Sequence, residues 1–208
     1  VGRAIVTTLL ERGHRVVAVA RNEARLARLA ETLQQDARLT RVCGSVASDA
    51  DAARLVADVS TILPQIDAAL VSVNAPREPA SLLTYTDQTL STLINGDLLT
   101  HFCAARAFAA SLQPGGTLLG IGGGSCDFVL HDGIPQSMAQ AALRMLYRGL
   151  AHEYRDRPVH VHELIIASIV NSDCTRAFAD PHWVTDTEIA LRAAHIIDRD
   201  AEDADITQ

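Results

Sequence analysis

Short apolar runs alternate with amphipathic segments along most of the chain. The apolar runs, rich in Val and Ile, predict buried strands at 15–20, 39–43, 66–73, within 115–124, and at 159–166. Apolar residues at three- and four-residue spacing predict helices at 1–13, 23–35, 48–63, 86–112, 136–155 and 186–197. Strictly alternating strands and helices predict an α/β fold: a single Rossmann-like domain over 1–208, with a doubly wound parallel sheet and helices on both faces.

Residue types at the segment ends support these boundaries. Asn22, and Ser48 or Asp49, are suited to capping the helices that follow them. Pro135 fits a first helical turn, where its missing N–H costs nothing.

The two ends of the sequence predict incomplete elements. Residues 1–13 already have a helical pattern that stops at Gly13, with no strand before it. Residues 204–208 have the pattern of an entrance to another element. We therefore expect the first strand and a C-terminal strand of the fold to lie outside this sequence.

Composition narrows the function classes. The 208 residues are 48% hydrophobic, which is ample for one buried core without disulfides or metals. A net charge of −7 argues against nucleic-acid binding, which needs a basic face. No apolar run is long enough to cross a membrane. The cysteines stand far apart, so we expect neither a zinc site nor disulfides, and a cytoplasmic setting.

The order of elements and several landmarks resemble the short-chain dehydrogenase/reductase family over essentially the whole chain. The landmarks are Asn74-Ala75-Pro76 after the third strand, the glycine-rich strand end at 120–124, and Ala141-Ala142-Leu143 on the helix after Pro135. The resemblance implies an NAD(P)-dependent oxidoreductase that acts on a carbonyl or alcohol, with a small molecule as its substrate.

The resemblance also assigns cofactor contacts. Gly2 would be the last glycine of the family's TGxxxGxG motif, which brings backbone N–H groups to the pyrophosphate. Arg21, with Ala20 rather than a carboxylate before it, favours the 2′-phosphate of NADP over NAD, although a solvated arginine would look the same. The remaining contacts implied by the family pattern are Ser45 and Val46 at the adenine, Asn74 and Ala75, and Ser172 at the carboxamide.

The family's catalytic residues are replaced in this chain. Aligned on Ala141-Ala142-Leu143, the tyrosine position is Gln136, the lysine position is Gln140 and the serine position is Gly123. An amide exchanges no useful proton near neutral pH, so the standard proton transfer is expected to be impaired or lost. Asn95 matches the family's active-site asparagine, or is an ordinary helical asparagine bonded to a carbonyl.

Few other side chains in the sequence could replace the missing catalytic groups. Tyr147 lies too far along the helix from Gln136 to replace the phenol, and Arg144 offers charge but no proton. Cys126 and His131, in the loop before the helix, have the residue types for nucleophilic or acid–base work; the alternative is an ordinary loop with no catalytic role. His160 and His162 alternate on one strand but have no evident third ligand for a metal.

Three functions stay open. The chain is an oxidoreductase with a substitute proton source, a non-catalytic nucleotide-binding scaffold or sensor, or a non-redox isomerase, lyase or cyclase. Helices 86–112 and 136–155 resemble the pair through which family members associate, so homo- or hetero-oligomerisation is expected.

Overall fold

A computed structural model describes residues 1–76 and 78–198. The helices are α1 (Gly2–Glu11), α2 (Glu23–Thr32), α3 (Asp49–Ile62), α4 (Asp87–Ile94), α5 (Thr100–Ala109), α6 (Ile134–Tyr154) and α7 (Asp186–Asp198). The strands are β1 (Val16–Ala20), β2 (Leu39–Cys43), β3 (Ile66–Val71), β4 (Leu112–Gly123), β5 (Val159–Ile166), β6 (Val170–Asn171) and β7 (Val184–Thr185). The expectation for residues 204–208 lies outside the described residues.

All paired strands run parallel. β1 pairs with β2, and β3, β4 and β5 form a second sheet in that order, while β6 and β7 make a small separate pair. One core packs the β3–β5 sheet against α3, α5 and α6, and another packs its opposite face against α1 and α7. The predicted parallel α/β architecture with helices on both faces is therefore confirmed.

The predicted helix ends are also confirmed at several places. The side chain of Asn22 accepts a hydrogen bond from the Arg25 amide, and that of Ser48 accepts one from the Asp51 amide. Pro135 lies in the first turn of α6. Gly13 follows α1 with a φ of +91°, in the left-handed region that favours glycine.

The long helix predicted at 86–112 is the main difference. It is interrupted by a π-helical turn at Asn95–Leu99, which joins α4 to α5, and it ends at Ala109. Leu112 instead begins β4 and pairs with Ile66. Leu112 fits a helical period, but pairing with a distant strand decided its conformation, and such pairing leaves no local signal.

Candidate functional site

A large cleft separates the two main sheets. It has a volume of about 2280 Å³ and is lined by β1, β3, α1 and the segments that follow β1, β2 and β3. It runs along the whole length of β1 and β3, and at one end it reaches the carboxyl ends of these parallel strands, where open α/β sheets bind ligands. The cleft brings together six of the predicted cofactor residues, which are Gly2, Arg21, Ser45, Val46, Asn74 and Ala75.

Two of the arginines that line the cleft lie close to the end of β1. Arg21 and Arg25 are exposed, line the cleft, and have no carboxylate partner within residues 1–76 and 78–198. Sequence reasoning missed Arg25, although its four-residue spacing from Arg21 was a usable signal. Two guanidinium groups without a neighbouring carboxylate fit an anionic phosphate.

The other predicted cofactor residues have different surroundings. Ser45 accepts a hydrogen bond from the Ala47 amide through its hydroxyl, at 3.1 Å, and Val46 packs against the core. A Cβ built on Gly2 would meet only the Ser72 hydroxyl, at 3.9 Å. Ser172 lies in a turn with Thr175 and is not part of the cleft lining. The cleft lining thus includes the positions assigned to the pyrophosphate, the 2′-phosphate and the adenine, but not Ser172, the position assigned to the carboxamide.

Gln140 is buried and hydrogen-bonded at both ends of its amide. Its Oε1 accepts from the Gly123 amide at 2.6 Å, and its Nε2 donates to Asp97 Oδ2 at 3.2 Å. Asp97 is 1% exposed and accepts through Oδ1 from the Ala75 amide at 2.5 Å. The structure thus brings the predicted positions Gly123 and Gln140 together, and adds Asp97, which sequence reasoning missed.

Asn95 and Gln136 lie in other surroundings. The Asn95 side chain is exposed on the π-turn, where its carbonyl accepts from the Thr100 hydroxyl at 2.9 Å. It lines the cleft, whereas the half-buried Gln136 does not. Their assignment to the family's asparagine and tyrosine positions stays a prediction.

A second buried pair lies beside Asp97. Tyr147 and His101 meet at 2.9 Å, and the other ring nitrogen of His101 lies 2.9 Å from the Val73 carbonyl. Because the carbonyl can only accept, His101 donates from Nε2 and accepts the Tyr147 hydroxyl at Nδ1. Burial lowers the pKa of His101 and raises that of Tyr147, so both groups are neutral.

The loop before α6 does not form a Cys126/His131 pair. Cys126 accepts a hydrogen bond from Arg144 at 3.4 Å, while the exposed His131 lies 3.0 Å from Asp132. Burial raises the pKa of the Cys126 thiol, which disfavours the nucleophilic thiolate. Arg144 also forms an ion pair with Asp127, which compensates much of its charge.

His160 and His162 stack with ring centroids 6.4 Å apart. Burial lowers the pKa of His162. Within the described part of the chain, no group of three or more His, Cys, Asp or Glu side chains could hold a metal ion.

Glu163 is a half-buried carboxyl whose side chain covers Gly122, with Cδ 3.0 Å from where a Cβ would stand. Burial raises its pKa from 4.5 to about 7, with Arg144 opposing the rise and Asp127 adding to it. Between about pH 4.5 and pH 7, Glu163 therefore keeps its proton in the folded state and loses it in the unfolded state. This contribution to stability is complete below about pH 4.5 and is lost as pH rises through 7.

We expect Glu163→Gln to remove that pH dependence. The variant should be more stable than the wild type by about 1–2 kcal/mol at pH 8, after allowance for solvent screening, and equally stable near pH 4.5. Urea unfolding at both pH values measures it. Glu153→Gln, which removes an exposed carboxylate, controls for net charge. An equal effect of Glu163→Gln at both pH values would contradict the assignment.

Comparisons with known proteins agree with this architecture. A family model described as enoyl-(acyl carrier protein) reductase matches residues 1–208. A search of curated proteins found no match.

Many solved structures share the fold. One is a short-chain dehydrogenase/reductase from Burkholderia xenovorans, 21% identical, with a TM-score of 0.84 over 94% of this chain and 82% of that one. A second is a short-chain dehydrogenase from Mycobacterium smegmatis, 18% identical, with a TM-score of 0.81 over 93% and 79%. A third is a short-chain oxidoreductase from Pseudomonas aeruginosa PAO1 that contains an atypical catalytic center, 19% identical, with a TM-score of 0.82 over 94% and 85%.

No helix within residues 1–76 and 78–198 is both long and apolar enough to cross a bilayer. The family-model match over residues 1–208, together with the parallel α/β fold shared with these structures, shows that the chain belongs to the short-chain dehydrogenase/reductase family.

Proposed function

We propose that the protein binds NADP(H) and that the oxidoreductase chemistry of its family is impaired or lost. The observation that carries the proposal is the state of Gln140. Its amide is neutral, buried and bonded to both Gly123 and Asp97, so it offers no charge to lower the pKa of a neighbouring acid.

The cofactor assignment rests on the chemistry of the cleft. Arg21 and Arg25 would hold the 2′-phosphate of NADP, with Ser45 and Val46 at the adenine and Asn74 and Ala75 beside the ribose. NAD, which lacks that phosphate, would leave two guanidinium groups without an anion and should bind less tightly. When bound, the nicotinamide supplies hydride to a carbonyl or accepts it from an alcohol.

The step that this chain lacks is proton transfer to or from the substrate oxygen. Gln136 and Gln140 have no group that titrates near neutral pH, and Gly123 has no side chain to orient a carbonyl oxygen. The buried phenol of Tyr147 donates its proton in a hydrogen bond to His101, and burial raises its pKa, so it does not ionise near neutral pH. The Pseudomonas aeruginosa relative with an atypical catalytic center supports the view that this fold accommodates other site residues.

A non-catalytic nucleotide-binding role is the second candidate, and one observation favours it. At two of the three catalytic positions, Gly123 and Gln140, the polar groups bond to each other and Gln140 also bonds to Asp97, so their hydrogen bonds are satisfied without a substrate.

Association through helices is part of the proposal. Leu99 and Phe102 are exposed on the π-turn and α5, as are Met138 and Met145 on α6. Exposed apolar side chains on neighbouring helices are typical of an interface, so we propose an oligomer formed through these two helical segments. We also propose a cytoplasmic setting, in which the four cysteines stay reduced.

The cofactor preference is tested by Arg21→Ala. Loss of a charge-assisted phosphate contact should weaken NADPH binding about tenfold to a hundredfold and leave NADH binding within about twofold. Fluorescence titration with both nucleotides measures this, and Arg25→Ala should show the same selectivity. Arg148→Ala, which removes an exposed arginine on α6, is the control. Equal losses for NADPH and NADH would contradict a phosphate contact.

A further inference from the structure

Two hydrogen-bonded bridges connect α6 to the segment that follows β3. In the Asp97 bridge, Gln140 donates to Asp97, which accepts from the Ala75 amide. In the His101 bridge, Tyr147 donates to His101, which in turn donates to the Val73 carbonyl. Both bridges pass through side chains on the π-turn and α5.

The spacing of the residues makes the two bridges run side by side. Gln140 and Tyr147 are seven residues apart on α6, and Asp97 and His101 are four apart, so each pair lies on one helix face. The π-turn also packs directly on the segment, because a Cβ on Gly96 would stand 2.7 Å from the Ala75 Cβ. The segment after β3 is thus held by two hydrogen bonds, at Val73 and Ala75, and by the close packing of Gly96 on Ala75.

The segment held in this way belongs to the cleft. Asn74, Ala75 and Pro76 line it together with Asn95 and Gly96 of the π-turn. A shift of the π-turn would therefore change the shape of the cleft wall where the cofactor is proposed to lie.

The Asp97 bridge also has a direction. Its two ends are the backbone amides of Ala75 and Gly123, and both can only donate. Between two donors, one side chain must accept twice and the other must both donate and accept. Asp97 and Gln140 meet that requirement in one order. The paired exchange Asp97→Asn with Gln140→Glu would meet it in the reverse order at the same net charge.

We propose that Asp97 and Gln140 are positioning residues, which hold the Asn74–Pro76 segment in the conformation that binds the cofactor. Gln140, at a position where the family has a catalytic lysine, has in this chain become a structural link between α6 and the cofactor cleft. The inference rests on the proposed NADP(H) binding, and its test separates the two.

The test exchanges the donor and acceptor roles. Asp97→Asn leaves two facing amide donors somewhere along the bridge, and Gln140→Glu places two carboxylates against each other. Each single variant should weaken NADPH binding at least fivefold. The double variant Asp97→Asn/Gln140→Glu restores every donor–acceptor contact of the bridge and should bind NADPH within about twofold of the wild type.

NADPH titration is combined with amide hydrogen exchange at Ala75 and Gly123, which reports the bridge without any cofactor. Faster exchange and weaker binding in both single variants, with recovery of both in the double, is the expected result. If a single variant does not fold, recovery of a folded, NADPH-binding double variant is the same rescue.

Three results overturn the inference: single variants that bind as the wild type does, a double variant that recovers neither property, or exchange at Ala75 and Gly123 that does not change. If the wild type does not bind NADPH at all, the proposed function fails. In that case the exchange measurement alone decides whether the bridge holds the segment.

Discussion

Gly120→Ala is expected to lower the unfolding temperature by about 5–10 °C, which corresponds to a loss of about 2–3 kcal/mol in a domain of this size. Gly120 lies on β4 directly beneath the Tyr147 ring, and an added Cβ would overlap that ring and stand 2.6 Å from its hydroxyl oxygen. Tyr147 is 2% exposed and bonded to His101, so it has no space into which to move. Thermal unfolding followed by circular dichroism measures the loss.

Gly149→Ala is the matched control for this prediction. Gly149 is exposed on α6, and a Cβ there meets nothing within 4 Å. Alanine is favoured over glycine inside a helix by about 0.5–1 kcal/mol, so this variant should be slightly more stable than the wild type. A Gly120→Ala variant as stable as Gly149→Ala would contradict the packing of Tyr147 on β4.

The second large effect concerns the catalytic positions. A variant with Gly123→Ser, Gln136→Tyr and Gln140→Lys should show NADPH-dependent reduction of simple ketones, at least about a hundredfold above the wild type. The lysine at 140 would face the Asp97 carboxylate, which now accepts from the Gln140 amide. That carboxylate keeps the ammonium charged, and a charged lysine lowers the pKa of the tyrosine one turn away.

The matched control replaces the tyrosine at 136 by phenylalanine in the same triple variant, which removes only the phenolic hydroxyl. Both proteins should bind NADPH equally, and only the tyrosine form should reduce ketones. Equal rates in the two would show that position 136 does not supply the proton. NADPH binding without reduction in either would show that the substitutions at 123, 136 and 140 do not suffice.

Much of the fold follows from local signals in the sequence. The bounds predicted for β1, β2, β5, α2, α3, α6 and α7 agree with the structure within a few residues. These bounds depend on signals that are local in the sequence: the hydrophobic period, the capping residues Asn22 and Ser48, and Pro135 in a first helical turn. The early start of β4 was not predicted, because Leu112 depends on its partner Ile66 in another strand.

The site was predicted less completely, for a physical reason. The π-turn at Asn95–Leu99 interrupts the predicted helix, and within it Asp97 is buried while Asn95 is exposed. A regular 3.6-residue period cannot show where such a turn falls. Gln140 was identified by its position in a motif, but its contacts with Gly123 and Asp97 depend on three separate elements.

The central claim is that the chain retains a cofactor site but not the family's proton chemistry. Titration of the wild-type protein with NADPH, followed by a single-turnover measurement of NADPH oxidation in the presence of ketones, tests both halves. We expect saturable binding, tighter for NADPH than for NADH, with no oxidation above the rate in free solution. Rapid oxidation would contradict the loss of proton transfer, and the absence of binding to either nucleotide would contradict the cofactor site.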